Sequence, residues 1–115
     1  MSYKKGRNFE YQIIKLFSSA GYYTVRSAGS HGIFDILAVK DGVIFGIQCK
    51  LANNLSKCEK SAMLNAYKEF GIYPLYAYKI NRTIYLDDLV RGKTIDLNEL
   101  GDLPKIIKGG CNDGK

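Results

Sequence analysis

Apolar residues recur at helical spacing from Gly6 to Ala20: Phe9, Ile13, Leu16, Phe17 and Ala20 share one side, and Gly21 follows as a stop signal. The period then changes to two. Tyr22 to Ser27 alternates weakly, whereas Ile33 to Lys40 and Val43 to Lys50 are strongly apolar strands. Between the last two lies Asp41-Gly42, a dipeptide suited to a type I′ turn, in which both central residues take positive φ. Helical spacing returns after the polar stretch Ala52 to Lys57, with Met63, Ala66, Tyr67 and Phe70 on one face and Gly71 ending it. Two further strands, Tyr73 to Ile80 and Thr83 to Leu86, meet at Asn81-Arg82. Beyond Asp88 the pattern weakens, and residues 101–115 are expected to form a flexible tail. The order α-β-β-β-α-β-β predicts an α/β fold with a mixed five-stranded sheet flanked by helices, in a single domain over residues 1–100.

Three polar positions do not fit this pattern. On a helical wheel Glu10 falls at about 100°, inside the apolar arc that runs from Phe9 at about 0° to Ile14 at about 140°. A carboxylate turned toward the core needs a cation or hydrogen bonds, unless it reaches out to solvent or pairs with Lys4, Lys5 or Arg7. Asp35 interrupts the run Ile33-Phe34-Asp35-Ile36-Leu37-Ala38-Val39, which is otherwise apolar on both faces. A salt bridge to Arg26 or Lys50 would satisfy it. Gln48 and Lys50, two apart, share a strand face opposite Val43, Phe45, Ile47 and Cys49, and the strand could simply be running out into solvent there.

Register links the three. A two-residue turn at Asp41-Gly42 pairs Lys40 with Val43, which places Asp35 directly opposite Gln48 and Ile33 opposite Lys50. Asp35, the Gln48 amide oxygen and Glu10 from the packed helix then form a cluster of hard oxygen donors. Such a cluster suits Mg²⁺, with Mn²⁺ as a substitute, because Mg²⁺ keeps several waters and needs only one or two carboxylates. A metal there would acidify water and neutralise charge on a phosphate, and Lys50 beside it would stabilise the transition state. These are the parts of a phosphodiesterase acting on nucleic acid.

Composition narrows the alternatives. The 115 residues carry 17 Lys and Arg against 11 Asp and Glu, a net charge of +6, which favours a polyanionic partner. No apolar run approaches the ~20 residues of a membrane span, and no apolar segment follows the charged N-terminus, so neither a membrane nor a secretory signal is expected. Cys49, Cys58 and Cys111 lack paired spacing, and His31 is the lone histidine. Structural zinc and a disulfide framework are therefore disfavoured and a reducing, cytoplasmic setting is expected.

The arrangement of a helix glutamate, an aspartate opening a hairpin, and Gln48-Cys49-Lys50 resembles the PD-(D/E)xK nuclease superfamily, with its restriction-endonuclease-like core. More narrowly, the chain is similar to archaeal-type Holliday-junction resolvases. Lys5-Gly6-Arg7-Asn8-Phe9-Glu10 resembles their helix entry, and Gly21-Tyr22-Tyr23-Thr24-Val25-Arg26-Ser27-Ala28-Gly29-Ser30 is similar to their most specific segment. Asp35-Ile36-Leu37-Ala38 and Ile47-Gln48-Cys49-Lys50 complete a likeness running over residues 4–86. The resemblance implies metal-site roles for Glu10, Asp35 and Gln48, and makes Lys50 the catalytic lysine. It places Ser30 by the scissile phosphate and Arg26 on DNA, beside the basic run Lys4, Lys5, Arg7. It further implies a homodimer nicking opposed strands of a four-way junction, with no small-molecule substrate. Two positions depart from the family pattern: Gln48 stands in place of glutamate, and His31 where lysine is more usual. A nuclease for flaps, mismatches or duplex, or a junction binder silenced at Gln48, remain the alternatives.

Overall fold

The computed structural model describes residues 2–27 and 33–112, with side chains described from Arg7 to Ser27 and from Ile33 to Lys108. Helix α1 (Ser2–Ser19) leads into β1 (Tyr23–Arg26), and β2 (Ile36–Lys40) and β3 (Val43–Lys50) form a hairpin. Helix α2 (Lys57–Phe70) carries the chain to β4 (Tyr73–Ile80), followed by β5 (Thr83–Asp88) and a two-residue β6 (Lys93–Thr94). A 3₁₀ turn (Leu97–Asp102) and α3 (Leu103–Asn112) follow. The strands lie in chain order, β1 to β6, antiparallel except for the central β3–β4 pair. A parallel pair needs a crossover, and α2 supplies it.

The helices divide between the two faces. On one, Phe9, Ile13 and Phe17 of α1 bury against Ile36, Ala38, Phe45, Ile47, Ala77 and Leu86, joined by Leu100 and Leu103. On the other, Met63 and Ala66 of α2 pack with Phe34. Among the described residues no helix is long and apolar enough to cross a membrane.

The hairpin turn follows the expected chemistry: Asp41 and Gly42 have φ of 52° and 78°, and Lys40 pairs with Val43. At the second hairpin Asn81 and Arg82 take φ of 50° and 70° between Ile80 and Thr83. Helix α2 starts with a capping box, in which Ser56 Oγ accepts from Glu59 N–H and Glu59 accepts from Ser56 N–H, and it ends at Gly71 with φ 77°.

Three expectations need correction. The sheet has six strands rather than five, because β5 runs on to Asp88 and the Val90–Gly92 turn returns the chain as β6. Strand β2 starts at Ile36 rather than Ile33. Residues 101–112, expected as flexible tail, are helical, and they are anchored. Leu97, Leu100, Leu103 and Ile107 recur every three or four residues and pack on the α1 face. Gly101 and Pro104 obscure that period in the sequence, yet Pro104 sits in the first turn of α3, where a missing N–H costs little. Tyr22 Oη donates to Leu100 O at 2.8 Å, and Lys40 Nζ donates to Ala20 O at 2.8 Å and Gly101 O at 2.7 Å.

Candidate active site

Asp35 marks the place where the hairpin ladder breaks. From Lys40↔Val43 to Ile36↔Ile47 the register is the one the turn predicts. Beyond it the Asp35 N–H donates to Ile47 O, whose residue already pairs with Ile36, so the chain slips by one residue. The expected Asp35–Gln48 opposition is therefore not formed. Instead the Asp35 carboxylate replaces the lost strand partner: Oδ2 accepts from Cys49 N–H at 2.8 Å. Its carbonyl accepts from Ser27 N–H of the neighbouring chain segment at 2.8 Å. Three hydrogen bonds thus fix one residue at the end of the sheet.

The surrounding charges converge on this carboxylate. Burial raises the Asp35 pKa, the Cys49 N–H opposes that rise, Glu10 adds to it, and Lys50 and Arg26 oppose it. Burial likewise pushes the Cys49 thiol up, with Asp35 and Glu10 adding to the effect. Glu10, held in the apolar arc of α1, is half-buried and paired with Arg26, Nε to Oε1 at 2.9 Å. The Arg26 guanidinium also lies over the Tyr11 ring, 5.5 Å from its centroid. Arg26, expected on DNA, thus serves first as the cation that a carboxylate in that arc requires.

Lys50 lies on the opposite face, where its Nζ contacts Glu59 Oε2 of α2 at 2.8 Å. The Lys50 hydrogen bond, then the Ser56 N–H, hold the Glu59 carboxyl below its ordinary value. Gln48 lines a cavity of ≈ 320 Å³ with Ile33, Cys58, Glu59 and Ala62, on the α2 side. The structure thus brings Glu10, Asp35, Arg26 and Lys50 together and leaves Gln48 beside them, facing Glu59. Arg7 is exposed on α1. The side chains of Lys4 and Lys5, and all of Ser30 and His31, lie outside the described residues.

The donor set suits a hard divalent cation in part. Among the described residues no three of His, Cys, Asp and Glu gather as ligands. Glu10 does lie close enough to Asp35 to disfavour the charge of the Asp35 carboxylate, an arrangement that a cation relieves. Glu59 is the residue beside Lys50 that sequence reasoning missed. Ser56-x-x-Glu59 is a legible capping signature, but nothing local shows that the same carboxylate reaches Lys50 across the layers.

A helix glutamate, an aspartate where the hairpin ladder breaks and a lysine at the end of β3, on a mixed sheet flanked by helices, make up a restriction-endonuclease-like fold. The structure of the Hjc Holliday junction resolvase from Archaeoglobus fulgidus superposes with a TM-score of 0.64 over 86% of this chain and 88% of that one, at 24% identity. The profile of the archaeal Holliday junction resolvase (Hjc) family matches residues 1–96, and the chain belongs to that family. The crossover junction endodeoxyribonuclease Hjc of Methanocaldococcus jannaschii is 30% identical over 83 residues, spanning 69% of this chain. That match covers 62% of the relative, just under two thirds of its length.

Proposed function

We infer that this chain is a metal-dependent endonuclease that resolves four-way DNA junctions by paired, symmetric nicks. The observation that carries the reading is Asp35: its backbone is pinned by two hydrogen bonds and its carboxylate by a third, from Cys49 N–H, at the sheet end, with Glu10 of α1 and Lys50 both near enough to act on its charge. Family membership supplies the substrate class.

The roles follow from position. Asp35 and Glu10 would hold Mg²⁺, or Mn²⁺ in its place, with the Gln48 amide as a further donor. Bound there, the cation supplies an acidified water and screens phosphate charge. Lys50 places a compact cation at the same end of the sheet, where it can stabilise negative charge building on the phosphorus oxygens. Arg26 orients Glu10 through their ion pair. Arg7, with Lys4, Lys5 and Ser30, would contact the DNA backbone. One chain offers one such site and a junction needs two symmetric incisions, so the active form is a two-fold homodimer.

The test compares a four-way junction with linear duplex and flap DNA, each with and without Mg²⁺. Paired nicks in the junction alone, with Mg²⁺, are expected. Equal cleavage of duplex or flap transfers the activity to another DNA structure. Binding should weaken steeply with salt, with a log–log slope of about −0.9 per phosphate neutralised. A flat response excludes nucleic acid. Sedimentation as a single 12.9 kDa species at micromolar concentration would exclude the dimer.

A further inference from the structure

The Lys50 ammonium does not end in solvent. It meets Glu59 Oε2 at 2.8 Å, and Glu59 is itself immobilised, because Oε1 accepts from Ser56 N–H at 3.0 Å while its own N–H donates to Ser56 Oγ at 3.1 Å. An ordinary surface pair contributes little, since two long side chains must be frozen to form it. Here the capping box has already frozen one partner. What the pair fixes is the position of the ammonium, and it ties the end of β3 to the first turn of α2. The cavity that Glu59 and Gln48 line opens beside this contact.

We propose that Glu59 is a positioning residue for the nuclease reaction: clamped by the Ser56 capping box, its carboxylate holds Lys50 Nζ at the sheet end where the phosphate reacts. The inference rests on the endonuclease reading above and adds to it a residue from the helix layer. It gives α2 a role in the chemistry as well as in the core. It also explains why a capping box, which glutamine can serve as well as glutamate, is built here with the charged member.

That chemical distinction supplies the experiment. Glu59→Gln keeps an oxygen for Ser56 N–H and so keeps the cap, but it removes the charge that holds Lys50. Ser56→Ala does the reverse, weakening the cap and leaving the ion pair. Melting temperature, junction affinity, the single-turnover cleavage rate with saturating enzyme, and the ¹⁵N relaxation order of the Lys50 Nζ group are measured for parent, Glu59→Gln, Ser56→Ala and Lys50→Ala. Glu59→Gln should melt with the parent and bind the junction no more weakly. Its Lys50 Nζ should lose order, and it should cleave at least tenfold more slowly. Ser56→Ala should melt lower yet cleave within about threefold of the parent at temperatures where it is folded.

If Glu59→Gln cleaves at the parent rate with Lys50 Nζ equally ordered, the inference is overturned. It is also overturned if cleavage across the set follows melting temperature alone, because Glu59 would then act only through the helix. Failure of the underlying reading looks different. A parent inert on every DNA substrate, or Lys50→Ala cutting as fast as the parent, removes the endonuclease assignment and the inference with it.

Discussion

Gly46→Ala should unsettle both the core and the site through one contact. Gly46 is buried in β3, under the ring of Phe34. A Cβ added there would lie 2.5 Å from Phe34 Cγ and 2.6 and 2.7 Å from the two Cδ atoms. Ordinary van der Waals contact begins at 3.4 Å, so the ring must retreat by about 0.9 Å. It has little room, because Phe34 packs into the cluster with Met63 and Ala66. Overpacking of this kind costs about 1–3 kcal/mol, and replacing a strand glycine returns about 0.5–1 kcal/mol of backbone entropy. A net loss of about 1–2 kcal/mol is expected in urea unfolding. Phe34 also precedes Asp35, so a displaced ring shifts the carboxylate, and cleavage should fall by more than the loss of folded protein explains. Phe34→Leu should relieve the clash, making the double variant more stable than the two single losses added together. A Gly46→Ala variant within about 0.5 kcal/mol of the parent, or strictly additive losses, would refute the reasoning.

Asp35→Asn should abolish cleavage while junction binding persists, and loss of both together would argue against a metal role. Its stability has a defined sign: the folded Asp35 pKa is raised, so the parent loses stability as pH climbs from the ordinary carboxylate value through the folded one, and the asparagine variant does not. Metal-free Asp35→Asn should therefore match the parent in strong acid, where both side chains are neutral, and melt above it at neutral pH; the opposite order would overturn the assignment. Gln48→Glu adds a carboxylate to the cavity that Glu59 lines, so the variant should melt lower without metal and, with metal, reach half-maximal cleavage at lower Mg²⁺. A melting loss with unchanged Mg²⁺ dependence would remove Gln48 from the donor set, while an inert parent with an active variant would mean a silenced site. Asp88 is fully buried and accepts from Tyr73 Oη, Val90 N–H, Arg91 N–H and Arg91 Nε. Asp88→Ala should cost about 3 kcal/mol in chemical unfolding and leave cleavage by the folded protein intact; a loss below about 1 kcal/mol would show that the network is not holding the turn.

Where sequence and structure agree, the deciding physics is local. Asp41-Gly42 sets a turn through its own backbone preferences, the turn sets the register, and the register holds for five residue pairs. Glu10 is legible as an anomaly because helical geometry fixes its angle relative to Phe9 and Ile13 whatever packs above. The failures are all non-local. Nothing in Ile33-Phe34-Asp35 shows that its ladder will end at Ile36, since the slip depends on a side chain competing successfully for the Cys49 N–H. The Leu97–Ile107 packing looks like a fading pattern until a surface for it exists, formed by Tyr22, Lys40 and α1. Arg26 could be placed on a strand, but its pairing with Glu10 requires α1 and β1 to be docked.

The slip at Asp35 is also what makes one site out of two layers. In an unbroken hairpin Asp35 would point to a single face of the sheet, as its neighbours do, and could meet residues of that face only. By accepting a backbone N–H, its carboxylate instead lies along the ladder, in the plane between the faces. Glu10, paired with Arg26, acts on its charge from the α1 side, and Lys50, paired with Glu59, from the α2 side. Neither helix layer contains the site alone, and the in-plane carboxylate is the element both sides share. In the proposed reaction the relative position of the two layers therefore becomes part of the chemistry. That position is set by what packs next to the slip, where Phe34, the residue before Asp35, lays its ring on Gly46, a glycine because no Cβ fits beneath the ring.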